Sequence, residues 1–216
     1  MVNNTNVVDV LVVGSGVAGM YGALQFDSDT SVMILSKYSK TTSNSNLAQG
    51  GVAAVLNLEE DSFDLHIKDT FIAGRHENDP ESVEVLVSEG PDDVRKIMEM
   101  GVRFDRNAEG ELDMTLEGGH CRRRIVHYKD CTGAEMVRGL LAEVEKKRTL
   151  YTRKTPCLYV LYVSEAASVP TFYATENTQA YSAATVCFAR AVWEECISTP
   201  RIPNQQPVTA SALPTN

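Results

Sequence analysis

A glycine pattern close to the amino terminus is the first candidate for chemistry in this sequence of 216 residues. Gly14, Gly16 and Gly19 follow the apolar run 10–13 and open a segment of helical composition. In a strand, turn and helix unit, the first glycine permits the turn, the second lets the backbone approach phosphates, and the third lets the helix pack on the strand. Amide groups at the helix start then face the anion. The pattern therefore predicts a turn that holds a dinucleotide pyrophosphate.

Two further segments carry candidate chemistry. Small residues at 47–54, which include Gly50 and Gly51, would let the backbone approach a flat ligand, although the plain start of a helix would also account for them. The basic run 122–124 is either a solvated turn or a site that attracts an anionic substrate or cofactor.

The elements around the glycine turn predict a parallel sheet. Strands at 9–13 and 31–35 flank a helix at about 16–26, and such a crossover joins parallel strands. The glycine turn then lies at the carboxyl edge of the sheet. The polar stretch 37–46 is expected to be a loop.

Helices and a strand meander follow. Helical patterns cover 61–73 and 80–100, and Gly90–Pro91 is expected to divide the second into two pieces because proline cannot donate a helix hydrogen bond. The whole pattern predicts an α/β fold in which a parallel sheet with helices is joined to a β-meander. The strands of the meander are expected at 157–163, 169–174 and 184–189.

The helix expected at 133–147 has the clearest pattern. Thr132 and Glu135 have the spacing of a capping box, in which the two side chains satisfy the first backbone amides. Its apolar residues recur at helical spacing and share one face. They are Met136, Val137, Leu140, Leu141 and Val144.

Composition narrows the possible partners. The net charge of −9 argues against nucleic acid as a partner. The sequence has neither a run of about 18 apolar residues nor a signal peptide, so we expect a cytoplasmic protein without a membrane partner. Five cysteines and four histidines lack disulfide or metal-ligand spacing, and no metal site is expected.

Several motifs in fixed order carry a resemblance to a known family. Where the second strand of a NAD-binding crossover commonly ends in an acidic residue, this sequence has Ser36 and Lys37. Together with the segments below, this ending resembles L-aspartate oxidases, a family within the succinate dehydrogenase and fumarate reductase flavoprotein superfamily. The matching segments are 9–19, 35–37, 44–54, 69–74, 117–120, 123–127 and 130–133, with a weaker likeness through the meander to 189.

The resemblance implies a Rossmann-like FAD-binding domain and a set of residues that contact FAD. Lys37 would lie near the adenosine half of the cofactor. Asn44 stands where succinate dehydrogenases and fumarate reductases carry a flavin-linking histidine, so the FAD would be bound non-covalently. The implied contacts are Gly14, Ser15, Gly16, Val17, Ala18, Gly19, Lys37, Asn44, Ser45, Asn46, Leu47, Ala48, Gln49, Gly50 and Gly51.

The substrate residues implied by the resemblance lie near a second pair of glycines. Glu117 precedes Gly118 and Gly119, where relatives specific for dicarboxylates usually have an aromatic residue, and its carboxylate would orient the ammonium group of L-aspartate. His120 and His127 would either donate to substrate carboxylates or serve as structural histidines. Tyr128–Lys129 departs from the small residues usual in the family, which affects the local shape of the pocket.

The implied reaction is the oxidation of L-aspartate to iminoaspartate, with hydride transfer to FAD and reoxidation by oxygen or fumarate. It would be the first step of NAD biosynthesis and would link the protein functionally to quinolinate synthase. Two alternatives remain open. One is a FAD or nucleotide-binding module without catalytic activity, and the other is a flavoprotein of the succinate dehydrogenase or fumarate reductase type.

The sequence also predicts a boundary near its carboxyl end. Residues 1–189 are expected to form the amino-terminal part of the FAD-binding domain, while residues 190–216 are expected to be disordered or translated out of frame. When the residues from 190 onward are back-translated into degenerate codons and read in a shifted frame, one permitted translation is a glycine-rich segment like that of the family. Further catalytic residues of the family lie beyond this point, so the chain is expected to be inactive alone.

Overall fold

The structure is a computed structural model. It describes residues 5–36, 39, 42–147, 150–154, 158–162, 171–174 and 179–189, and the statements below concern these residues. The predicted contact of Lys37 with the cofactor and the predictions for residues 190–216 lie outside the described residues.

Nine strands and five helices make up the described chain. In chain order they are β1 (Thr5–Val13), α1 (Val17–Leu24), β2 (Val32–Ser36), α2 (Asn44–Leu47), β3 (Val52–Ala53), α3 (Phe63–Ala73), α4 (Pro80–Glu99), β4 (Met114–Thr115), β5 (Ile125–Val126), α5 (Thr132–Lys146), β6 (Leu150–Lys154), β7 (Leu158–Tyr162), β8 (Thr171–Ala174) and β9 (Gln179–Phe188).

The main sheet has six strands in the order β6-β2-β1-β9-β8-β7. Strands β6, β2, β1 and β9 run parallel, with Val10 opposite Val32 and Thr185. Strands β9, β8 and β7 run antiparallel. The expected α/β fold, the crossover through α1 and the meander are therefore confirmed, whereas β6 has no counterpart among the expected strands.

The core lies on both faces of the parallel strands. Along β1, Val10 and Val12 pack with Met20 of α1 and Leu140 of α5. Leu11 points to the opposite face, where it joins Met33 in a smaller cluster. This alternation follows from the two-residue repeat of a strand and explains why β1 is apolar throughout its buried part.

Helix α4 is one helix of 20 residues, so the expected division at Gly90–Pro91 is wrong. Pro91 removes a backbone hydrogen bond but lies buried in the helix interior. The apolar face continues across it at spacings of three and four residues. Packing of this face outweighs the local cost of the proline. The buried residues are Val83, Val87, Pro91, Val94 and Ile97.

Helix α5 matches the expected range, and Val137, Leu140 and Val144 on its predicted apolar face are buried. The capping box is wrong. Cys131 occupies the cap position without a side-chain hydrogen bond, and the Thr132 hydroxyl instead accepts from the Tyr128 amide at 3.0 Å.

The Glu135 carboxylate is occupied by two arginines rather than by the start of its own helix. It accepts from the backbone amide of Arg103 at 3.0 Å and from Nε of Arg103 at 2.9 Å. Nε of Arg138 donates to it at 2.7 Å. The tertiary ion pair with Arg103 has therefore replaced the local cap, and it fastens α5 to the chain that follows α4, while Arg138 pairs with Glu135 from within α5.

Two small features complete the frame of the site. Residues 44–46, expected in a loop, belong to the short helix α2, whose start is capped by Ser43 accepting from the Asn46 amide at 3.2 Å. A second sheet has the order β3-β5-β4, with antiparallel pairing. No described helix has the length and apolar character needed to cross a membrane.

Candidate cofactor and substrate site

The glycine turn lies at the carboxyl ends of three parallel strands. The Gly14 amide donates to the Leu35 carbonyl at 2.9 Å, and the Ala189 amide donates to the Val13 carbonyl at 3.0 Å. Gly14 has φ +118°, and a Cβ there would overlap the carbonyl oxygen of Ala189. Only glycine satisfies both the backbone angle and the space, so the turn is fixed by its neighbours.

The second and third glycines let α1 begin close to the turn and to α2. A Cβ on Gly16 would lie 3.0 Å from the Ser45 hydroxyl, and one on Gly19 would overlap the Gly14 carbonyl. The Val17 amide donates to that Ser45 hydroxyl at 3.2 Å. The structure thus joins the two predicted cofactor segments, 14–19 and 44–51.

A buried hydroxyl pair stands where many dinucleotide sites have an acidic residue. Ser15 of the glycine turn donates to Ser36 at the end of β2 at 2.8 Å, and both residues are buried. This contact holds the turn against the second strand without adding negative charge.

Helix α2 rests on the start of α5. The Gly133 amide donates to the Ala48 carbonyl at 3.0 Å, and a Cβ at Gly133 would overlap the carbonyl of Ser45. Leu47 is 75% exposed, and Ala48, Gln49 and Gly50 are exposed with it. Residues 47–50 therefore form an exposed segment beside the glycine turn.

These segments fit a nucleotide cofactor. The turn has space for backbone only, α1 begins at the turn, and no acidic side chain occurs at 14–19 or 44–51. A helix start without acidic side chains favours a phosphate.

The small sheet connects the cofactor segment to the loop that carries the second glycine pair. Strand β3 follows Gly51 directly and pairs with β5, while β4 pairs with the other edge of β5. A Cβ on Gly51 would overlap the Ile125 side chain, which shows how closely the chains approach. The loop 116–124 connects β4 to β5. It ends where Ala53 pairs with Ile125 and the Ala54 amide donates to the Arg124 carbonyl at 3.0 Å, so it is anchored just after segment 44–51.

Glu117 lies exposed in this loop, which we call the β4–β5 loop. The His120 amide donates to the Glu117 carbonyl at 3.2 Å, and Gly119 has φ +85°. The turn therefore places Glu117 and His120 at neighbouring positions on one loop. Both belong to the substrate residues that the sequence predicts.

Arg124 ends the loop and is fully buried, with 0% of its surface exposed. Its Nε and Nη2 donate to the Asp61 carboxylate at 2.7 Å each, and its Nη1 donates to Asp69 at 2.7 Å. Neither of the two interpretations of the basic run, a solvated turn or an anion-attracting site, fits Arg124, because two buried carboxylates hold it. Arg122 and Arg123 are exposed.

The buried ion pairs alter the pKa values of this cluster. Burial alone would raise the pKa of Asp69, but hydrogen bonds from the Cys121 amide and from Arg124 lower it to about 2. Burial, with further contributions from Arg124 and His120, lowers the pKa of His66 to about 4. His66 is therefore neutral near pH 7.

The two predicted histidines have different surroundings. Nδ1 of His120 lies 3.2 Å from Nη1 of Arg124, and its ring centroid lies 5.6 Å from that of His66. Nδ1 of His127 instead lies 3.3 Å from Asp105, and its buried Nε2 has no hydrogen-bond partner within the described part of the chain. Only His120 shares the β4–β5 loop with Glu117.

The sequence analysis missed the residues that support this loop. These residues are buried polar side chains: Asp61 lies just before α3, and His66 and Asp69 lie on it. His66 and Asp69 are three residues apart in α3 and therefore lie on one side of the helix, which is the signal that could have identified them. Their partner Arg124 is more than 50 residues away in sequence.

Fold and site together define a FAD-binding flavoprotein domain. The chain belongs to the family described as FAD binding domain, whose model matches residues 9–195, and FAD is its cofactor.

Curated relatives carry a more specific name. An L-aspartate oxidase of Nicotiana tabacum, described as chloroplastic, is 42% identical over 147 residues, which is 68% of this chain and 22% of the relative. An L-aspartate oxidase of Clostridium perfringens is 42% identical over 144 residues, 67% of this chain and 32% of the relative. The chain thus spans about a fifth to a third of the length of these proteins.

Solved structures share the fold. The Sdh1 complex of Mycobacterium smegmatis in its apo form superposes with a TM-score of 0.77 and 24% identity, covering 86% of this chain and 34% of that one. A variant FrdA subunit of E. coli quinol fumarate reductase gives a TM-score of 0.75 and 22% identity, covering 86% and 33%. These likenesses concern the fold.

Proposed function

We propose that this chain is the cofactor-binding part of an L-aspartate oxidase, with FAD bound non-covalently in a Rossmann-like domain. One observation carries the proposal. The β3-β5-β4 sheet anchors the loop with Glu117 beside residues 53 and 54, which follow the cofactor segment 44–51 by two residues. Identity of 42% to curated L-aspartate oxidases over two thirds of the chain supports it.

The residues of this chain would bind and orient the two ligands. The amides of the glycine turn and of the first turn of α1 hold the pyrophosphate. Ser45 and the exposed residues 47–50 lie along the cofactor. Glu117 pairs with the ammonium group of L-aspartate, and His120 donates to a substrate carboxylate. FAD, when bound, supplies the redox chemistry by accepting a hydride from the substrate, which leaves iminoaspartate.

The remaining partners follow from the same assignment. Oxygen or fumarate would reoxidise the cofactor, and quinolinate synthase would consume the product in NAD biosynthesis. A cytoplasmic location belongs to this proposal. His127 directly follows β5 and pairs with Asp105, so in this proposal it has a structural role.

Titration of the FAD-loaded protein with L-aspartate tests the assignment. We expect a change in the flavin absorbance that saturates, because the substrate would bind beside the cofactor. Glu117→Gln should weaken aspartate binding at least tenfold and succinate binding much less, since succinate has no ammonium group. Glu109→Gln, an exposed carboxylate on the preceding turn, serves as the matched control.

Other results would redirect the proposal. Equal loss of aspartate and succinate binding in Glu117→Gln contradicts the role of Glu117. A flavin that stays with the denatured chain would favour the succinate dehydrogenase or fumarate reductase type, whose fold this chain shares. FAD binding without any response to aspartate would favour a binding module without catalytic activity.

A further inference from the structure

The buried arginine of the β4–β5 loop is held in one position by two carboxylates. Asp61 receives two hydrogen bonds from Arg124, through Nε and Nη2, and Asp69 receives a third from Nη1. All three distances are 2.7 Å, and both side chains of the Arg124–Asp61 pair are almost fully buried. The planar guanidinium therefore has little freedom to rotate.

The same Nη1 lies 3.2 Å from Nδ1 of His120. A guanidinium has hydrogen-bond donors only and keeps its charge, so Nδ1 must act as the acceptor in this contact. A neutral imidazole that accepts at Nδ1 carries its proton on Nε2. The contact between the two residues thus decides which nitrogen of His120 is protonated.

We propose that Arg124 is a positioning residue that fixes His120 in the tautomer with the proton on Nε2, so that His120 presents an N–H donor to a carboxylate of the substrate. The substrate part of this inference rests on the proposed function, whereas the tautomer part does not. Asp61 and Asp69 act one step further back, because they hold Arg124.

The neighbours of His120 support this assignment. A free carboxylate near the ring would favour a proton on Nδ1, but Asp69 already accepts from Arg124 and from the Cys121 amide at 2.8 Å. The adjacent ring of His66 is buried and neutral near pH 7, since burial lowers its pKa to about 4. His120 itself is only half-buried, and Nε2 lies on the side of the ring away from Nδ1.

Nitrogen NMR of the full chain tests the tautomer directly. With ¹⁵N-labelled histidine and arginine, we expect His120 Nδ1 to resonate as an unprotonated nitrogen and Nε2 as a protonated one at pH 7.5 (about one unit above the ordinary histidine pKa). A scalar coupling between Arg124 Nη1 and His120 Nδ1 across the hydrogen bond should be visible. A protonated Nδ1, or observed Arg124 Nη resonances without this coupling, overturns the proposal.

Variants separate positioning from a purely structural role. Arg124→Gln replaces the donor-only group by an amide that can donate or accept, so His120 should shift to a mixture of tautomers. Arg123→Gln is the matched control, because Arg123 is exposed and, within the described part of the chain, hydrogen-bonds only to the Met114 carbonyl at 3.4 Å. An unchanged single tautomer in folded Arg124→Gln contradicts the proposal. If that variant does not fold, the coupling in the unmodified protein decides.

A titration of the FAD-loaded protein with L-aspartate tests the substrate part. The Nε2–H proton of His120 should move on binding, and a bound substrate that leaves this resonance unmoved overturns the donor role. Failure of the proposed function gives a different result. In that case aspartate would not perturb the flavin, while the His120 tautomer and its coupling to Arg124 would still be observed.

Discussion

The glycine turn and the β4–β5 loop are held in place by different kinds of interaction. The turn at 14–19 is defined by backbone approaching backbone, with positions where a single Cβ would overlap a carbonyl. The β4–β5 loop ends in a buried arginine and depends on two carboxylates, one just before α3 and one on it, that are more than 50 residues away. The first region depends on shape and the second on charge, so different substitutions should disable them.

Loss of the buried arginine should have the largest effect on stability. Arg124→Met leaves Asp61 and Asp69 buried without their partner. Removing one member of a buried ion pair lowers the free energy of unfolding by about 3–5 kcal/mol. Urea denaturation followed by circular dichroism measures the free energy of unfolding. Arg122→Met, at an exposed position of the same run, should change it by less than about 0.5 kcal/mol. Equal effects of the two substitutions would contradict the charge-based account of the loop.

A methyl group in the glycine turn should have the next largest effect. In Gly19→Ala the added Cβ overlaps the Gly14 carbonyl, and overpacking of this kind costs about 1–3 kcal/mol. FAD affinity, measured by quenching of flavin fluorescence, should fall with it. Gly22→Ala is one turn later in α1 and has no atom within 4 Å of the new Cβ. Gly22→Ala should stabilise the helix by about 0.5–1 kcal/mol. If it lowered stability as much as Gly19→Ala does, overlap with the Gly14 carbonyl would not explain the effect at position 19.

The stability of the charged region should depend on pH in two steps. The folded-state pKa of His66 is lowered to about 4 from 6.5, so the unfolded chain binds a proton first and stability falls as the pH drops from 6.5 towards 4. Asp69 and Glu135, whose pKa values are lowered to about 2, stabilise the fold above their ordinary values of 3.8 and 4.5. That contribution is lost as the pH falls from about 5 to 2.

Two variants assign these steps. His66→Gln should flatten the step between pH 6.5 and 4 by about 2 kcal/mol, and Glu135→Gln should reduce the step below pH 5. Urea denaturation at a series of pH values provides the measurement. The exposed His76 is the control for the first variant, since His76→Gln should leave both steps in place. An unchanged upper step in His66→Gln would assign it to another group.

The hydroxyl that links the two cofactor segments should have the smallest effect. Ser45→Ala removes the acceptor for the Val17 amide at 3.2 Å, which is worth about 1 kcal/mol. FAD affinity should fall by roughly fivefold. Ser88→Ala, on the exposed side of α4, removes a hydroxyl without touching the site and should leave affinity unchanged. Equal affinities for all three proteins would show that Ser45 does not position the turn.

The two regions also differ in how far the sequence predicted them. The turn, α1 and β2 follow local rules, because glycine spacing and apolar periodicity act over a few residues. The same rules failed at Pro91 and at Glu135, where packing of a long apolar face and pairing with Arg103 outweighed local preference. For the β4–β5 loop, sequence predicted Glu117 and His120 as candidates but not the ion pairs behind them.

The sequence by itself determined the parallel crossover and the glycine turn, since each depends on neighbours in the chain, whereas the candidate substrate residues come from the resemblance to L-aspartate oxidases. Only the tertiary structure decided that segments 14–19 and 44–51 meet at Ser45 and that β3 and β5 anchor the β4–β5 loop just after the second of these segments. It also decided that Arg124 is buried between Asp61 and Asp69. A buried charge requires partners wherever they occur in the chain, and its burial is settled only when distant segments pack together.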